Sequence, residues 1–239
     1  FPIVVNLEGC SCLVVGGGTV ALRKVKNLLH CGAAINVVSP SFCEEMALLG
    51  REKQVTLIPR KFEDRDVQGH MLVFAATSDE IVNHRVYELC RENKILINTV
   101  DDPDRCNFLV PATMRRGALT VAISTEGRSP LLARKLRMEM EDRYGPEYAD
   151  YLELLGDARA VVKGTFDLES TRKQVFAKIL ELPVLSLLQQ GKKEEAINAF
   201  KKLIFQDKVL MLFGPTLSNS AQAADPIAVH GRLVRVAGL

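Results

Sequence analysis

The chain has 239 residues, of which 47% are hydrophobic and 25% are charged, and its formal net charge is +2. This length provides one large domain or two small ones with a buried core, and the small, dispersed charge gives no argument for a nucleic-acid-binding protein. No apolar run approaches the roughly 18 residues of a membrane-spanning helix. The first residues lack the charged and apolar segments of a secretory signal, so none is predicted.

The cysteines favour a reducing compartment over a metal site. All six lie in the first half of the chain: Cys10, Cys12, Cys31, Cys43, Cys90 and Cys106. The C-x-C spacing of Cys10 and Cys12 is not that of zinc ligands, and no second pair follows. The histidines are also dispersed. We therefore predict no bound metal, and reduced cysteines in a cytoplasmic protein.

The first half alternates short apolar runs with helical patterns. Strands are predicted at residues 12–15, 34–38, 55–59, 71–75 and 95–100, and helices at residues 20–30, 42–50 and 80–93. This alternation predicts an α/β fold with a parallel, doubly wound sheet. Ligands of such sheets bind at the carboxyl ends of the strands. The loops at residues 16–18, 39–41, 75–77 and 98–102 are therefore expected to converge.

The first strand ends in a glycine turn that leads directly into a helix. In a dinucleotide-binding turn, Gly16 would allow the tight turn, Gly18 the approach of the pyrophosphate, and Ala21 close packing of helix and strand. The helix N-terminus would then offer free N–H groups to the phosphates. A purely structural glycine turn is the alternative. The order of strand, turn and helix favours dinucleotide binding.

The second predicted strand ends in Ser39-Pro40-Ser41, where NAD-binding proteins often carry an acid. Pro40 could simply end the strand, or the two serines could contact the adenosine ribose. No arginine lies close by in sequence to bind a 2′-phosphate. We therefore predict NAD rather than NADP.

The last predicted strand of the sheet is followed by two acids, Asp101 and Asp102, before Pro103. Such a sequence often forms a turn. An acid at the carboxyl end of a strand is also well placed to abstract a proton from a substrate in the cleft. Asp101 is nearer the strand and is our candidate catalytic base.

The second half begins with an apolar β-run at residues 119–124 and a helix that Ser129 would cap and Pro130 would start. Helical patterns follow at residues 148–162, 168–180 and 192–205. An unpaired apolar strand invites association, so we predict that the β-run is buried in a two-fold homodimer. The predicted domains are residues 1–111, 112–145, 146–213 and a tail at 214–239.

Basic residues flank the β-run: Arg115, Arg116, Arg128, Arg134, Lys135 and Arg137. They form either a solvated helix face with a hairpin turn or a receptor for a substrate that carries several carboxylates. The sequence leaves this choice open.

Several motifs resemble, in order, the siroheme synthase module. They are Gly16-Gly17-Gly18-x-Val20-Ala21-x-Arg23-Lys24, Ala75-Ala76-Thr77 with Asn83, Asn98-x-Val100-Asp101, Phe108-x-x-Pro111-Ala112, and Ile123-Ser124-Thr125-x-Gly127-x-Ser129-Pro130-x-Leu132-Ala133-Arg134. The family comprises precorrin-2 dehydrogenases, many of which are also sirohydrochlorin ferrochelatases. The resemblance covers about the first 160 residues. Asn107 departs from it, because many members have an acid there.

The resemblance implies an NAD-binding Rossmann-type domain, a small α+β dimerisation region and a C-terminal helical domain. Asp101 matches the family's catalytic aspartate. With the arguments above, the candidate NAD contacts are Gly16, Gly18, Thr19, Val20, Ser39, Pro40, Ser41, Ala76, Thr77 and Asn98. The candidate contacts to a tetrapyrrole substrate are Arg115, Arg116, Ser124, Thr125, Gly127, Arg128 and Ser129.

The implied function is oxidation of precorrin-2 to sirohydrochlorin with NAD as the hydride acceptor. In a bifunctional member Fe²⁺ would be a further substrate, inserted to give siroheme. Two alternatives stay open: a non-catalytic nucleotide sensor that regulates a partner, and an NAD-dependent dehydrogenase of another small acid.

Overall fold

A computed structural model describes residues 2–202. The chain divides into two compact units, with one division between Pro111 and Ala112. The first unit contains residues 2–111 and Ser124–Leu132, and the second contains Ala112–Ile123 and the described residues from Ala133 onwards. The predicted tail at 214–239 and the end of the predicted 146–213 domain lie outside the described residues.

The first unit is built on a parallel sheet. Its strands are β1 (Ser11–Val15), β2 (Ala34–Val38), β3 (Thr56–Ile58), β4 (Leu72–Ala75) and β5 (Leu96–Thr99), in the order β3-β2-β1-β4-β5. The helices α1 (Thr19–Leu29), α2 (Glu44–Arg51) and α3 (Glu80–Glu92) connect them. All four strand pairings are parallel, which confirms the predicted fold. The strand order reverses at β1, and ligands of such sheets bind at that point.

The core covers both faces of this sheet because successive side chains of a strand point to opposite faces. Val14 packs in one buried cluster with Val25 of α1, and Val15 packs in another with Val86 of α3. Each apolar side chain of this size contributes about 1.5–3 kcal/mol when fully buried. The two clusters hold the carboxyl ends of the central strands in a fixed frame.

The second unit begins with an antiparallel hairpin of β6 (Ala112–Arg116) and β7 (Leu119–Ile123). Gly117 forms its turn with φ +55°, and a Cβ there would lie 2.9 Å from the Cβ of Ala149. Only the second strand of the hairpin was expected. Arg115 and Arg116 lie at the end of β6, opposite Thr120 and Leu119 and next to the hairpin turn.

Within the described residues, five helices follow: α4 (Pro130–Arg143), α5 (Glu147–Thr165), α6 (Glu169–Glu181), α7 (Val184–Gln189) and α8 (Lys193–Lys201). The Ser129 hydroxyl accepts a hydrogen bond from the Leu132 N–H at 3.3 Å, as expected of a cap. The short α7, which begins after Pro183, was not predicted. The predicted helix at 192–205 extends past the described residues. Across residues 2–202, no helix has the length and apolar character needed to cross a membrane.

Candidate functional site

A cleft of about 860 Å³ lies within the first unit at the carboxyl ends of the strands. Nine of the ten candidate cofactor residues and the candidate base line it: Gly16, Gly18, Thr19, Val20, Ser39, Pro40, Ser41, Ala76, Thr77 and Asp101. All four loops expected to converge therefore contribute residues to the cleft, and Val100 and Asp101 represent the fourth.

The glycine turn is shaped by its neighbours on both sides. Gly16 has φ +126°, and a Cβ there would lie 2.3 Å from the carbonyl oxygen of Ala76. A Cβ on Gly17 would lie 2.0 Å from the carbonyl oxygen of Ser41. Around Gly18, by contrast, no atom lies within 4 Å of an added Cβ. The first two glycines therefore pack against protein, whereas Gly18 faces open space in the cleft.

Helix α1 presents its N-terminus at this turn. Gly18 is the N-cap, and its carbonyl accepts the first helical hydrogen bond from the Leu22 N–H at 2.9 Å. The first turn of α1 contains no acidic residue. Free amides and the positive end of the helix dipole suit an anion here. The glycine geometry and this helix end together fit the pyrophosphate of a dinucleotide.

The loop after β4 is held by a side-chain brace. The Asn83 amide oxygen accepts hydrogen bonds from the Thr77 N–H at 3.2 Å and from the Thr77 hydroxyl at 2.8 Å. The Asn83 amide nitrogen donates to the Thr77 carbonyl at 3.0 Å. Asp79 caps α3 by accepting from the Ile81 and Val82 N–H groups. These bonds hold the loop whose Ala76 carbonyl oxygen lies against Gly16.

The two acids after β5 have different surroundings. Asp101 lines the cleft, is exposed and has φ +59°. Asp102 caps a short 3₁₀ turn, because its carboxylate accepts from the Arg105 N–H at 3.3 Å and pairs with the Arg105 guanidinium at 3.2 Å. Asp102 therefore stabilises a turn, which was the alternative to a catalytic role for these two acids. Asp101 remains available to a bound ligand.

Asn98 is the candidate cofactor residue that does not line the cleft. Asn98 as a whole is 7% exposed, and its side-chain amide donates to the Phe108 carbonyl at 3.2 Å. Asn107 is similarly structural: its amide oxygen accepts from the Ile97 N–H at 2.7 Å and its amide nitrogen donates to the Ile95 carbonyl at 2.9 Å. An acid at this position could not donate the second bond when ionised. Both side chains anchor the segment after β5.

Lys24 belongs to the electrostatic surroundings of Asp101, although sequence reasoning gave it no role. It is partly buried, and its Nζ lies 5.1 Å from the centroid of the Phe74 ring. Burial, followed by the charge of Arg23, lowers the pKa of Lys24, while Cys106 and Asp101 act in the opposite direction. The only sequence signal was its position after the glycine turn.

The basic candidates in the second unit differ in what they contact. The Arg116 guanidinium donates to the Tyr144 carbonyl at 3.0 Å and to the Glu141 carbonyl at 3.3 Å, so it ties β6 to the end of α4. The Arg115 side chain is exposed. Of this pair, Arg115 is the more exposed.

The loop between β7 and α4 carries the remaining candidates. The Thr125 hydroxyl accepts from the Ser129 N–H at 3.1 Å, and the Ser124 hydroxyl accepts from the Glu126 N–H at 3.2 Å. Gly127 has φ +78°, and the Arg128 N–H donates to the Thr125 carbonyl at 2.9 Å. The loop is thus a hydrogen-bonded turn on which Arg128 is exposed.

No group of three or more His, Cys, Asp or Glu side chains that could hold a metal ion occurs in the part of the chain that the structure describes. No disulfide joins the cysteines within it. Burial raises the pKa of the Cys90 thiol to about 12. Burial and the neighbouring thiols of Cys10 and Cys31 raise the pKa of the Cys12 thiol to about 11.

Comparison with known proteins gives two family matches in sequence order. The family described as "Putative NAD(P)-binding" matches residues 3–112. The family described as "Sirohaem biosynthesis protein central" matches residues 116–143. The first match confirms the nicotinamide dinucleotide cofactor predicted from the glycine turn.

Similar proteins extend over most of the chain. A siroheme synthase of Thioalkalivibrio sulfidiphilus is 40% identical over 85% of this chain and 42% of its own length. One of Pseudoalteromonas translucida is 38% identical over 85% of this chain and 43% of its own length. The chain thus spans about two fifths of the curated relatives it matches.

Among solved structures, the chain is similar to a protein titled SirC, precorrin-2 dehydrogenase. The identity is 29%, the TM-score is 0.70, and the match covers 84% of this chain and 99% of that one. Two family matches in order, curated relatives along most of the sequence and this structural likeness agree. The chain is thus similar along most of its length to siroheme synthases and to this precorrin-2 dehydrogenase.

Proposed function

We propose that the chain oxidises precorrin-2 to sirohydrochlorin with NAD⁺. The observation that carries this proposal is the convergence of the glycine turn, the N-terminus of α1 and the Asp101 carboxylate on one cleft. The matched solved structure is titled a precorrin-2 dehydrogenase, and the curated relatives are siroheme synthases. When bound, NAD⁺ would accept a hydride from the reduced macrocycle, giving sirohydrochlorin, NADH and a proton.

The residues of the cleft would bind and orient the dinucleotide. The amides of Thr19 and Val20 at the start of α1 would donate to the pyrophosphate across the open space at Gly18. Ser39 and Ser41 would contact the adenosine ribose from the end of β2. The loop braced by Asn83 and Thr77 would form the wall on the β4 side.

Asp101 would take the proton that the macrocycle loses. Its carboxylate lines the cleft and does not cap the turn, unlike that of Asp102. The left-handed backbone of Asp101 is uncommon for a residue other than glycine, and asparagine tolerates it well. Asp101→Asn therefore removes the base with little change in the backbone.

The exposed side chain of Arg128 would offer its guanidinium to a carboxylate arm of the tetrapyrrole. Fe²⁺ would be a second substrate, since the macrocycle nitrogens can ligate the metal while Asp101 accepts their protons.

Apolar side chains of α4 are exposed, with Leu131 at 78% and Met138 at 50%, which supports the predicted homodimer. Reduced cysteines support a cytoplasmic location.

The direct test is turnover of precorrin-2 with NAD⁺ by the purified chain, followed by the absorption of sirohydrochlorin. We expect Asp101→Asn to lower the rate by about 10²–10⁴-fold, the range for loss of a general base. NAD affinity should change little, because the glycine turn is intact.

Asp104→Asn is the matched control. It makes the same chemical change on an exposed residue of the adjoining turn that does not line the cleft. Equal losses in the two variants would show damage to the turn and not removal of a base. NAD binding without any turnover of precorrin-2 by the wild type would instead favour a nucleotide sensor.

A further inference from the structure

We propose that Cys106 is a positioning residue whose thiol holds the turn that presents Asp101 to the cleft. The inference rests on the proposed function, in which the Asp101 carboxylate is the base. Cys106 does not line the cleft itself, whereas Val100 and Asp101 do. Its effect on the reaction would therefore pass through the backbone of this turn and not through a contact with a ligand.

The turn runs from Thr99 to Asp102 and has an uncommon backbone conformation at Asp101. A hydrogen bond of 3.4 Å from the Asp102 N–H to the Thr99 carbonyl closes it. Asp101 is its third residue, with φ +59°, and a positive φ at that position of a turn is normally taken by glycine or asparagine. Other residues keep such a conformation where the surrounding structure fixes it. The closing bond is long, which leaves most of this task to other contacts.

The Cys106 sulfur makes such contacts at both ends of the turn. It accepts a hydrogen bond from the Thr99 N–H at 3.2 Å. It also lies 3.3 Å from the Thr99 carbonyl oxygen and 3.2 Å from the Asp102 carbonyl oxygen, so its proton is shared between these two acceptors. Thr99 precedes Val100 and Asp101, and Asp102 follows them. One sulfur atom thus joins the residues on either side of the candidate base.

The thiol is chemically suited to this arrangement. Burial raises the pKa of the Cys106 thiol above its ordinary 9.0, so the sulfur keeps its proton at neutral pH and both donates and accepts. The Thr99 N–H bonds to the sulfur on the outer side of β5, which is an edge strand. The next amide, that of Val100, donates to the Ala75 carbonyl of β4 at 2.9 Å. A substitution that removes the sulfur therefore deprives the Thr99 N–H of this bond and leaves the Val100 bond in place.

The backbone of Cys106 is itself held in place. Its N–H donates to the Pro103 carbonyl at 3.2 Å, and Cys106 forms an antiparallel β-bridge with Asn98. The side-chain amide of Asn98 also donates to the sulfur at 3.5 Å. The sulfur is thus fixed against the edge of the sheet, and the turn closes around it.

The first test measures NAD⁺ affinity by calorimetry, and kcat for precorrin-2 oxidation at saturating NAD⁺, in the wild type, Cys106→Ala and Cys106→Ser. Cys106→Ala should lower kcat by about 10–100-fold, because a displacement of a reacting group by about 1 Å has an effect of this size. NAD⁺ affinity should stay within about twofold, since the glycine turn is distant and intact. Serine keeps a donor and an acceptor on a shorter side chain, so Cys106→Ser should retain part of the activity that alanine loses.

Cys10→Ala is the matched control, because Cys10 is a partly exposed cysteine that precedes β1, at the opposite end of the sheet from the cleft. It should leave kcat and NAD⁺ affinity unchanged. A second comparison places Cys106→Ala in the Asp101→Asn background. There it should lower the remaining rate by less than about threefold, since no base is left to position.

Amide hydrogen exchange tests the hydrogen bonds without any turnover. In Cys106→Ala the Thr99 amide should exchange at least about tenfold faster than in the wild type, because it loses its partner. The Val100 amide, which donates to Ala75, is the internal reference and should change by less than about threefold.

A wild-type kcat in a folded Cys106→Ala variant would overturn the inference, as would equal losses in kcat and NAD⁺ affinity. A full further loss in the Asp101→Asn background, or an unchanged Thr99 amide, would contradict it as well. If the wild type binds NAD⁺ but does not oxidise precorrin-2, the proposed function fails, and the exchange rates alone decide whether Cys106 holds the turn. Should Cys106→Ala not fold, Cys106→Ser is compared with the wild type in each measurement, and the same directions are expected.

Discussion

The three glycines after β1 should separate folding from cofactor binding. Gly16→Ala would place a Cβ 2.3 Å from the Ala76 carbonyl oxygen at a residue with φ +126°. Strained backbone of this kind and overpacking each cost about 1–3 kcal/mol, so we expect a loss of about 2–6 kcal/mol in the free energy of unfolding. That loss is a large part of the roughly 5–15 kcal/mol that stabilises a typical domain.

Gly18→Ala should weaken NAD binding with little effect on the stability of the fold. No atom lies within 4 Å of the added Cβ and φ is −84°, so the loss of stability should not exceed about 1 kcal/mol, the difference between glycine and alanine at an N-cap. The methyl group would instead stand where the pyrophosphate approaches. Loss of one charge-assisted hydrogen bond corresponds to about 1.5–3 kcal/mol, or roughly 10–150-fold in NAD affinity.

The assay is urea denaturation of each variant together with calorimetric titration of NAD⁺. Gly156→Ala in α5 is the control, because its Cβ also meets nothing within 4 Å and lies in the other unit. It should leave NAD affinity unchanged and stabilise the fold by about 0.4–1 kcal/mol. Wild-type NAD affinity in a folded Gly18→Ala variant would refute the reasoning, as would an unchanged stability of Gly16→Ala.

Two further predictions concern the dependence of stability on pH. Hydrogen bonding from Arg60 lowers the pKa of Asp66 below its ordinary 3.8. The stabilisation of the fold by ionised Asp66 is therefore complete above pH 3.8 and is lost as pH falls through the folded-state pKa. In Asp66→Asn, the free energy of unfolding should lack this loss on acid titration. Burial raises the pKa of Cys90 from 9.0 to about 12, so its contribution is complete below pH 9 and is lost as pH rises towards 12. Denaturation of Cys90→Ala over that range should show a shallower alkaline decline than the wild type, and an equal decline would contradict the assignment.

The parallel sheet could be predicted from the sequence because its strands are buried on both faces. Such strands appear as short apolar runs between helical patterns. The glycine turn could be located for a related reason: Gly16 occupies a conformation that other residues rarely adopt. Asp101 could be selected because the carboxyl ends of parallel strands share one edge. Each of these features depends on local pattern and on a general rule of topology.

Features that depend on contacts distant in sequence were missed. Lys61 follows a strand of three residues, and only the pairing of β3 with β2 brings it to the cleft. The hydrogen bond from the Asn98 side chain to the Phe108 carbonyl likewise joins residues ten positions apart and has no signal in the sequence. The strand β6 is not evident in the sequence because its mixed polar residues gain their pairing from β7.

The proposed reaction requires that a hydride pass from the substrate to the nicotinamide in this cleft. The most direct measurement mixes the chain with precorrin-2 and NAD⁺ without oxygen and follows NADH and sirohydrochlorin together. The account predicts that they form in equal amounts, and that Gly18→Ala slows both to the same extent when NAD⁺ is not saturating. Formation of sirohydrochlorin without NADH, or of neither product by a folded chain that binds both ligands, would contradict it.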